Sequence, residues 1–324
     1  MENIFIIVVF LVFNLSIYIF FPTISNTVNI FDNPDNIRKI HKSKIAVLGG
    51  LIIYLNLILV GIVKLLNPEI SFFATNLINS NRNFISFFSM STSIFLIGIF
   101  DDKYGIRATK KLFICSLIFL IYLQINPDFQ INILRLTFFN DPIYLYDFSI
   151  IFSIICFLLF INALNMFDGI NLQSGIYTLT LFIFLYINEI SDTFSLVMII
   201  SLIFFLILNF REKCFLGDSG SYILAFIVSV IFIHYYNLQH HLDHNIFLLY
   251  ADSVFILMMI PGLDMLRLFA FRLYNGKNPF EGDKQHLHHL LLERYGFYKT
   301  TLIIQSLIII PILCMNIMSN IYII

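Results

Sequence analysis

Long apolar runs, separated by short polar segments, recur along the whole chain. A helix needs roughly 17–25 mostly apolar residues to cross a bilayer. About ten runs approach that length, with room for an eleventh in the last third of the chain. The ten predicted spans are residues 3–21, 45–66, 84–100, 108–126, 147–164, 174–190, 193–210, 219–236, 246–266 and 301–322. Because backbone groups in lipid must be hydrogen-bonded within the spanning segment, the pattern predicts helices throughout.

The composition supports this interpretation. Of the 324 residues, 59% are hydrophobic and only 12% are charged, with a mean hydropathy of +0.88, whereas soluble domains carry about a quarter charged residues. We therefore expect an all-α polytopic membrane protein that forms one integral membrane domain over residues 1–324. The first span has no basic leader and no small-residue cleavage site, which favours a retained helix over a signal peptide. The four cysteines show neither close pairing nor a metal-type spacing, so we expect no disulfide framework.

The positions of the basic residues predict the orientation. Of the 19 lysine and arginine residues, all but Lys64, Arg82 and Arg135 fall in loops that follow odd-numbered spans. Because basic residues accumulate in cytoplasmic loops, these loops are predicted to be cytoplasmic and both termini to lie on the other side. On that other side, the loop 127–146 contains two alternating runs around Asn140 and Asp141 and predicts a small β-hairpin.

Unusual polar residues are concentrated in five predicted cytoplasmic loops. The first, "FDNPDNIRKIHKSKIAVLGG" (31–50), places Arg38 and His41 ahead of Gly49 and Gly50, which open the second span. Two interpretations remain open. The loop is either a positively charged anchor at the membrane surface or an anion site, because glycines let a helix start approach a phosphate closely.

The second polar loop begins with two adjacent carboxylates. Asp101 and Asp102 end the third span, and Lys111 follows nine positions after the pair. A solvated cap explains one aspartate, but two at a lipid boundary fit a divalent-cation or phosphate site better. Hard cations such as Mg²⁺ prefer carboxylate oxygens.

The third polar loop is "NALNMFDGINLQSG" (162–175). Asn162, Asn165, Asp168 and Asn171 recur every three residues, which predicts one stripe along a helix. Asn and Asp are unfavourable inside helices, so the stripe indicates a binding function. The alternative is packing between membrane helices through polar side chains.

The fourth polar loop, "CFLGDSGSYIL", places Asp218 at a glycine-bounded turn that opens the eighth span. A plain helix N-cap is the competing interpretation of this aspartate. The fifth loop contains "NPFEGDKQHLHHLLLERYG", in which His286, His288 and His289 follow Asp283. An HxHH pattern without a motif such as HExxH is weak evidence for zinc, whereas histidines near phosphates can donate hydrogen bonds or carry charge.

The joint location of these loops favours chemistry over a structural explanation. Carboxylates, amides, basic residues and histidines converge on one predicted face of the membrane, which is the set of groups that a Mg²⁺-assisted phosphate site uses. The spans contain few ionisable residues, chiefly Lys64 and Asp252. An ion-coupled transporter is expected to place such groups near the middle of the membrane. A small-solute transporter or lipid flippase remains the alternative, and a catalytically inactive relic is a third option.

In this order, the motifs resemble those of the polyprenyl-phosphate N-acetylhexosamine-1-phosphate transferases, which include the phospho-MurNAc-pentapeptide translocases. The matching elements are RKxH followed by GG, DD with a lysine beyond it, NAxNxxDGI, GDxGS, and a final D-x-x-R…PF-x-x-D-x-x-H-x-HH. The resemblance covers most of the chain. The final loop is more similar to the branch that uses simple UDP-sugars and undecaprenyl phosphate.

The resemblance implies roles for individual residues. Asn165 and Asp218 would hold Mg²⁺, which Mn²⁺ could replace, against the donor pyrophosphate, and Lys111 would contact phosphate. Asp101 and Asp102 would activate or position the polyprenyl phosphate. The implied substrate-binding residues further include Arg38, His41, Asn162, Asp168, Asn171, Asp283, His286, His288 and His289.

One motif departs from the family pattern. The third motif of the family usually reads DGxDGLxxG, whereas this chain has "DGINLQSG". Asn171 therefore replaces the second aspartate, at the position that contacts uracil in the family, and Leu172 replaces a glycine. Asn still offers an acceptor and donors to a base edge, but the local shape of the loop does not follow from the resemblance.

The resemblance implies an enzyme of the bacterial inner membrane. It would transfer a sugar 1-phosphate from a UDP-N-acetylhexosamine to undecaprenyl phosphate and release UMP, as the first membrane step of cell-envelope polysaccharide synthesis. The expected partners are these two substrates and the lipid bilayer, without nucleic acid. A homodimer is an option that the sequence leaves open.

Overall fold

In the computed structural model, ten helices account for most of the residues that the structure describes. The structure describes residues 2–34, 43–73, 77–78, 80–239, 248–278 and 285–322, with side chains described from residue 4 to residue 315 of these ranges. The helices are α1 (Glu2–Val28), α2 (Gly49–Leu66), α3 (Asn81–Tyr104), α4 (Ala108–Ile125), α5 (Ser149–Phe167), α6 (Gln173–Ile187), α7 (Asp192–Phe210), α8 (Gly217–Leu238), α9 (Ala251–Tyr274) and α10 (Leu287–Tyr322).

Nine of the ten predicted spans correspond to helices long and apolar enough to cross a membrane, counted over the described residues. The exception is the predicted span 174–190, where α6 has only 15 residues. At a rise of about 1.5 Å per residue, such a helix covers only roughly 22 Å of a hydrocarbon core about 30 Å thick. It ends early because Glu189 adopts a left-handed φ of 55°. No eleventh span occurs in the described part of the chain.

The outer surface of the bundle is apolar, as expected for a protein surrounded by lipid. Large hydrophobic side chains such as Ile4, Phe113 and Phe255 are more than half exposed. Large apolar patches on a protein surface mark contacts with a membrane or a partner. Together with the nine apolar helices, this surface confirms the predicted class of all-α polytopic membrane protein.

Helix α8 forms the centre of the bundle. Every residue from Ser219 to Tyr236 is buried, and α8 packs against α2, α3 and α5. The ring of Phe226 lies 5.8 Å from Tyr122, 6.0 Å from Phe87 and 6.2 Å from Phe157, measured between centroids. A helix that is apolar on all sides is buried in the core. The packing of α2, α3 and α5 around α8 therefore holds its first residues in place at one end of the bundle.

Glycines allow α2 and α3 to approach the start of α8 closely. A Cβ atom added to Gly98 would lie 2.3 Å from Cα of Ser219, and one added to Gly50 would lie 2.4 Å from the backbone nitrogen of Gly220. Gly49 is equally confined, with Cα of Leu216 2.7 Å from an added Cβ. The glycine pair of the first polar loop therefore serves helix packing. The interpretation of this loop as an anion site stays a prediction, because Arg38 and His41 lie outside the described residues.

A small three-stranded sheet lies beside the start of α8. It consists of β1 (Phe31–Asp32), β2 (Ile45–Val47) and β5 (Cys214–Phe215) in the order β1-β2-β5, with β1 antiparallel and β5 parallel to β2. The strands are too short for an alternating pattern to predict them. The sheet fixes the first polar loop against the segment that leads into α8.

The predicted hairpin lies at the opposite end of the bundle. Strands β3 (Ile133–Leu136) and β4 (Phe139–Tyr144) pair antiparallel, which confirms the hairpin. The predicted turn position is wrong, because the chain turns at Thr137 and Phe138, while Asn140 and Asp141 belong to β4. The backbone nitrogen and the hydroxyl of Thr137 donate hydrogen bonds of 3.0 and 2.6 Å to the carboxylate of Asp252, at the start of α9. These bonds attach the hairpin to the bundle. The hairpin lies at the end away from Asp101, because helix α4 runs from one to the other.

Helix α10 is broken near its beginning. Gly296 has a φ of 72°, a conformation that glycine adopts without the steric penalty of a Cβ atom. The break separates a short polar segment, which carries His288 and His289, from the apolar segment Phe297–Met315. The histidine motif is thus placed at the same end of the bundle as the start of α8.

Candidate active site

Asp102 caps helix α8 from a different helix. Its carboxylate accepts hydrogen bonds from the backbone nitrogens of Asp218, at 2.7 Å, and Ser219, at 3.0 Å. The first amides of a helix have no partner within the helix, and a carboxylate there also interacts favourably with the helix dipole. The interpretation of Asp218 as a plain N-cap is therefore wrong: Asp102 caps the helix, and the Asp218 side chain bonds elsewhere.

Asp218 is the centre of a polar cluster drawn from four helices. Its carboxylate accepts hydrogen bonds from Asn165 Nδ2, at 2.5 Å, and from Lys111 Nζ, at 3.2 Å. Lys111 also forms a salt bridge with Asp101, and Asn165 Nδ2 donates to the hydroxyl of Ser221 at 3.1 Å. Residues from α3, α4, α5 and α8 thus meet at one point, as the location of the polar loops predicts.

The charges in this cluster do not balance. Asp101 and Asp218 share one ammonium group, Lys111, while Asp102 is bonded to backbone amides. Both hydrogen bonds donated by Asn165 come from Nδ2, so neither uses its carbonyl oxygen, the atom that could ligate a cation. Carboxylate and amide oxygens are ligands that Mg²⁺ accepts. These residues therefore fit a divalent cation.

Asp168 lies next to this cluster, just beyond the end of α5. Its carboxylate accepts a hydrogen bond of 2.5 Å from the hydroxyl of Ser174. The pKa of Asp168 is raised from 3.8 to about 7, mainly by burial and also by the negative charge of Asp218, while the Ser174 hydrogen bond opposes the shift. Asp168 consequently titrates close to neutral pH.

The predicted stripe of four polar residues does not lie along one helix. Helix α5 ends at Phe167, so Asn162 and Asn165 are helical, Asp168 follows the helix end and Asn171 lies in a loop. Asn162 donates to Sδ of Met265 at 3.5 Å, away from Asp218. The stripe prediction is wrong beyond residue 167, because the backbone leaves the helical conformation at Asp168, with φ −77° and ψ 60°.

Sequence reasoning missed Asn209, at the end of α7. Its side chain accepts a hydrogen bond of 2.6 Å from the backbone nitrogen of Leu172 and donates one of 2.8 Å to the carbonyl of Cys214. The sequence shows only a single Asn at the end of the apolar run "LIFFLILNF". That signal is typical of any span end, so it does not distinguish a functional residue.

Asp264 organises the histidine motif. One oxygen of its carboxylate accepts hydrogen bonds from Arg267, at 2.8 Å, and from the backbone nitrogen of Leu287, at 3.1 Å, and the other lies 3.2 Å from His286 Nδ1. The sequence includes Asp264 in the D-x-x-R pattern but does not indicate these partners. Asp264 thus holds the start of α10 against α9.

His288 is buried beside Gly169. A Cβ atom added to Gly169 would lie 1.9 Å from His288 Nε2, so only glycine fits there with this ring position. Burial, together with the neighbouring His286 and His289, lowers the pKa of His288 to about 3. His288 is therefore neutral at pH 7 and interacts as a neutral ring.

Asp264, His286 and His288 place potential metal-ligand atoms within 4.8 Å of one another. Asp264 is already bonded to the cationic Arg267 and to a backbone amide. This group offers two imidazole nitrogens and one carboxylate, whereas the cluster around Asp218 offers carboxylate and amide oxygens. Mg²⁺ prefers oxygen ligands, so the cluster around Asp218 suits it better.

A cavity of about 920 Å³ joins the predicted site residues at this end of the bundle. The predicted residues that line it are Asp102, Asp168, Asn171, Asp218 and His289. Asp101, Lys111 and Asn165 contact Asp218 directly or through one another. Three further predicted residues, Arg38, His41 and Asp283, lie outside the described residues.

A second pocket, here called the apolar groove, lies between α5, α8 and α9 and has a volume of about 330 Å³. Its walls are almost entirely hydrophobic. It extends from Ile131 and Leu134, near the hairpin, to Ala163 and Met265. Since Ala163 lies two positions before Asn165 on α5, the groove extends along the bundle nearly to the level of the polar cluster.

The fold and site define a polytopic membrane protein with a carboxylate, amide and lysine cluster at the end of its bundle. The family model described as glycosyl transferase family 4 matches residues 84–236, which include Asp101, Lys111, Asn165 and Asp218. A relative from Thermotoga maritima is 30% identical over 277 residues, which cover 85% of this chain and 77% of the relative. The chain therefore belongs to glycosyl transferase family 4.

Other relatives match over a similar extent. A relative from Escherichia coli K12 is 25% identical over 295 residues, or 87% of this chain and 74% of the relative. A relative from Yersinia pestis is 25% identical over 281 residues, which cover 83% of this chain and 71% of the relative. All three relatives are named undecaprenyl-phosphate alpha-N-acetylglucosaminyl 1-phosphate transferase.

Proposed function

We propose that this protein transfers a sugar 1-phosphate from a UDP-N-acetylhexosamine to undecaprenyl phosphate and releases UMP. The observation that carries the proposal is the contact of Asp218 with both Lys111 and Asn165 at the wall of a cavity of about 920 Å³. Ligand sites of this kind typically measure about 300–1,000 Å³, so the cavity is large enough for a nucleotide sugar. The names of the relatives support the same reaction.

In the proposed reaction, an oxygen of undecaprenyl phosphate attacks the β-phosphorus of the donor. The bond from that phosphorus to the oxygen bridging the two phosphates breaks, and UMP carries away the bridging oxygen. Phosphoryl transfer depends mainly on positioning and charge neutralisation. Asn165 and Asp218 would hold Mg²⁺ or Mn²⁺, which neutralises the pyrophosphate when bound.

The protein's own residues would position the reacting groups. The ammonium of Lys111 is held between Asp101 and Asp218, next to the carboxylate that lines the cavity. Preorganised charge of this kind is usually the largest catalytic contribution. Asp102 would act indirectly, because both of its oxygens already accept backbone amides.

The apolar groove would hold the proximal part of the prenyl chain. Its hydrophobic walls suit isoprenoid units, and it reaches α5 close to Asn165. The nucleotide would enter from the aqueous side, where Asp168 and Asn171 line the cavity. The distribution of basic residues supports a cytoplasmic site in the inner membrane, with both termini on the opposite side.

Release of UMP by purified protein tests the proposal. The assay contains the protein in lipid nanodiscs, Mg²⁺, undecaprenyl phosphate and a panel of UDP-sugars. We expect UMP release with at least one UDP-N-acetylhexosamine, and no turnover in the Asp218→Ala variant. Asp147→Ala, which changes an exposed aspartate at the hairpin end, should retain activity. Transport of a solute without UMP release, by folded protein, would favour the transporter alternative.

A further inference from the structure

The departure from the family pattern falls at a backbone position that favours glycine. Leu172 occupies the place of the family's glycine and has φ 69° and ψ −21°, in the left-handed region. A side chain is disfavoured there because its Cβ atom approaches the following carbonyl oxygen. The leucine therefore requires an interaction that holds this conformation.

Asn209 provides that interaction. The backbone nitrogen of Leu172 donates to Asn209 Oδ1 at 2.6 Å, and Asn209 Nδ2 donates to the carbonyl of Cys214 at 2.8 Å. The backbone N–H of Leu172 can only donate and the carbonyl of Cys214 can only accept, so the two bonds fix the orientation of the Asn209 amide. Asn209 is 4% exposed, so water competes little for these bonds.

The same amide also reaches the residue implied in base recognition. Asn209 Nδ2 lies 3.5 Å from Oδ1 of Asn171, and Asn171 lines the cavity. Cys214 belongs to β5, which pairs with β2 at Ala46. Asn209 thus connects the loop that carries Asn171 to a strand that cannot move independently of the sheet.

We propose that Asn209 is a positioning residue that holds Leu172 in the left-handed conformation and thereby directs Asn171 toward the donor's nucleobase. This inference rests on the proposed function, because it assigns Asn171 to a nucleotide. Asn209 borders the cavity, but its oxygen and nitrogen are bonded to protein groups. It therefore acts through Leu172 and Asn171, and this chain needs it because Leu172 is not glycine.

Steady-state kinetics of four forms test the proposal: wild type, Asn209→Ala, Leu172→Gly and the double variant. Loss of a buried hydrogen bond is expected to raise the KM for the UDP-sugar in Asn209→Ala on the order of tenfold, with a much smaller change in kcat. Glycine adopts a positive φ without strain. Leu172→Gly should therefore leave KM nearly unchanged and should restore most of the loss in the double variant.

Glu189→Gly provides a matched control, because Glu189 is another left-handed residue, with φ 55°, at the opposite end of α6. Combined with Asn209→Ala, it should restore nothing. An unchanged KM in Asn209→Ala would overturn the proposal. A double variant with Leu172→Gly that remains as impaired as Asn209→Ala would overturn it too. If the alanine variant does not fold, Asn209→Leu fills nearly the same volume, removes both hydrogen bonds and allows the same comparison.

Hydrogen exchange separates this inference from the proposed function. In protein without substrate, Asn209→Ala should accelerate exchange of the Leu172 amide, while peptides from α8 remain protected. Unchanged exchange at Leu172 would disprove the positioning role whatever the activity. If wild-type protein releases no UMP but exchange accelerates as expected, the proposed function fails and the conformational role of Asn209 stands.

Discussion

The carboxylate of Asp102 accepts the backbone N–H of Asp218 at 2.7 Å, although 116 positions separate the two residues in sequence. This bond joins the end of α3 to the start of α8. It fixes the backbone of the residue that contacts both Lys111 and Asn165. The two adjacent aspartates therefore have different functions: Asp101 pairs with a cation, and Asp102 orients a helix end.

Asp102→Asn tests this division. An asparagine offers one acceptor where the carboxylate offers two, and its NH₂ group would face a backbone N–H. We expect the free energy of unfolding to fall by about 1–2 kcal/mol, with a lower kcat because Asp218 loses its position. Chemical unfolding in detergent measures the first effect, and Asp147→Asn is the control. Loss of activity at unchanged stability would instead show that Asp102 acts on the substrate.

Lys111→Met should reveal the repulsion between Asp101 and Asp218. Methionine is close to lysine in length but leaves both carboxylates without their cation, and breaking a buried pair in this way costs about 3 kcal/mol. Adding Asp101→Asn should restore much of the unfolding free energy without restoring UMP release. Lys110→Met changes the exposed neighbour and should have little effect. A wild-type free energy of unfolding in Lys111→Met would contradict the expected repulsion between Asp101 and Asp218.

Asp168 should make stability depend on pH. Its pKa rises from 3.8 to about 7 because burial penalises the charged form, so the folded state holds its proton longer than the unfolded state. The stabilising contribution is complete below about pH 4 and is lost as the pH rises to about 7. Between these values, the unfolding free energy of wild type should decrease relative to Asp168→Asn by up to about 1.4 kcal/mol per pH unit. A difference that does not vary with pH would mean that Asp168 is already ionised in the folded protein at low pH.

Gly262→Leu tests the assignment of the apolar groove. Gly262 lines the groove, and a Cβ atom added there meets nothing within 4 Å, so a leucine should fill the groove without disturbing α9. We expect a higher KM for undecaprenyl phosphate and an unchanged KM for the UDP-sugar. Gly262→Ala, which fills far less of the groove, should resemble wild type. If the leucine variant binds the lipid normally, the prenyl chain lies elsewhere.

The sequence predicts the membrane spans well because lipid imposes a strong constraint on length and polarity. It places nine spans correctly and overestimates the tenth, where the apolar run extends past Ile187 but the helix does not. It also predicts that Asp101, Lys111, Asn165 and Asp218 meet, because loops on one side of the membrane are confined to the same end of a helix bundle.

The details that the sequence does not provide depend on backbone conformation and long-range contacts. An every-third-residue spacing predicts a helical stripe, but the non-helical backbone of Asp168 ends that pattern. The capping bond from Asp102 and the contacts of Asn209 join segments that are distant in sequence. Periodicity reports only local structure, so such contacts cannot be derived from it.

The central claim is that groups from separate loops meet around a divalent cation at Asp218. Anomalous diffraction from crystals grown with Mn²⁺ and UMP tests this claim most directly. The predicted result is one strong manganese peak within ligand distance of the side-chain oxygens of Asp218 and Asn165. A peak at Asp264, His286 and His288 instead, or none near Asp218 while UMP occupies the cavity, would contradict the account.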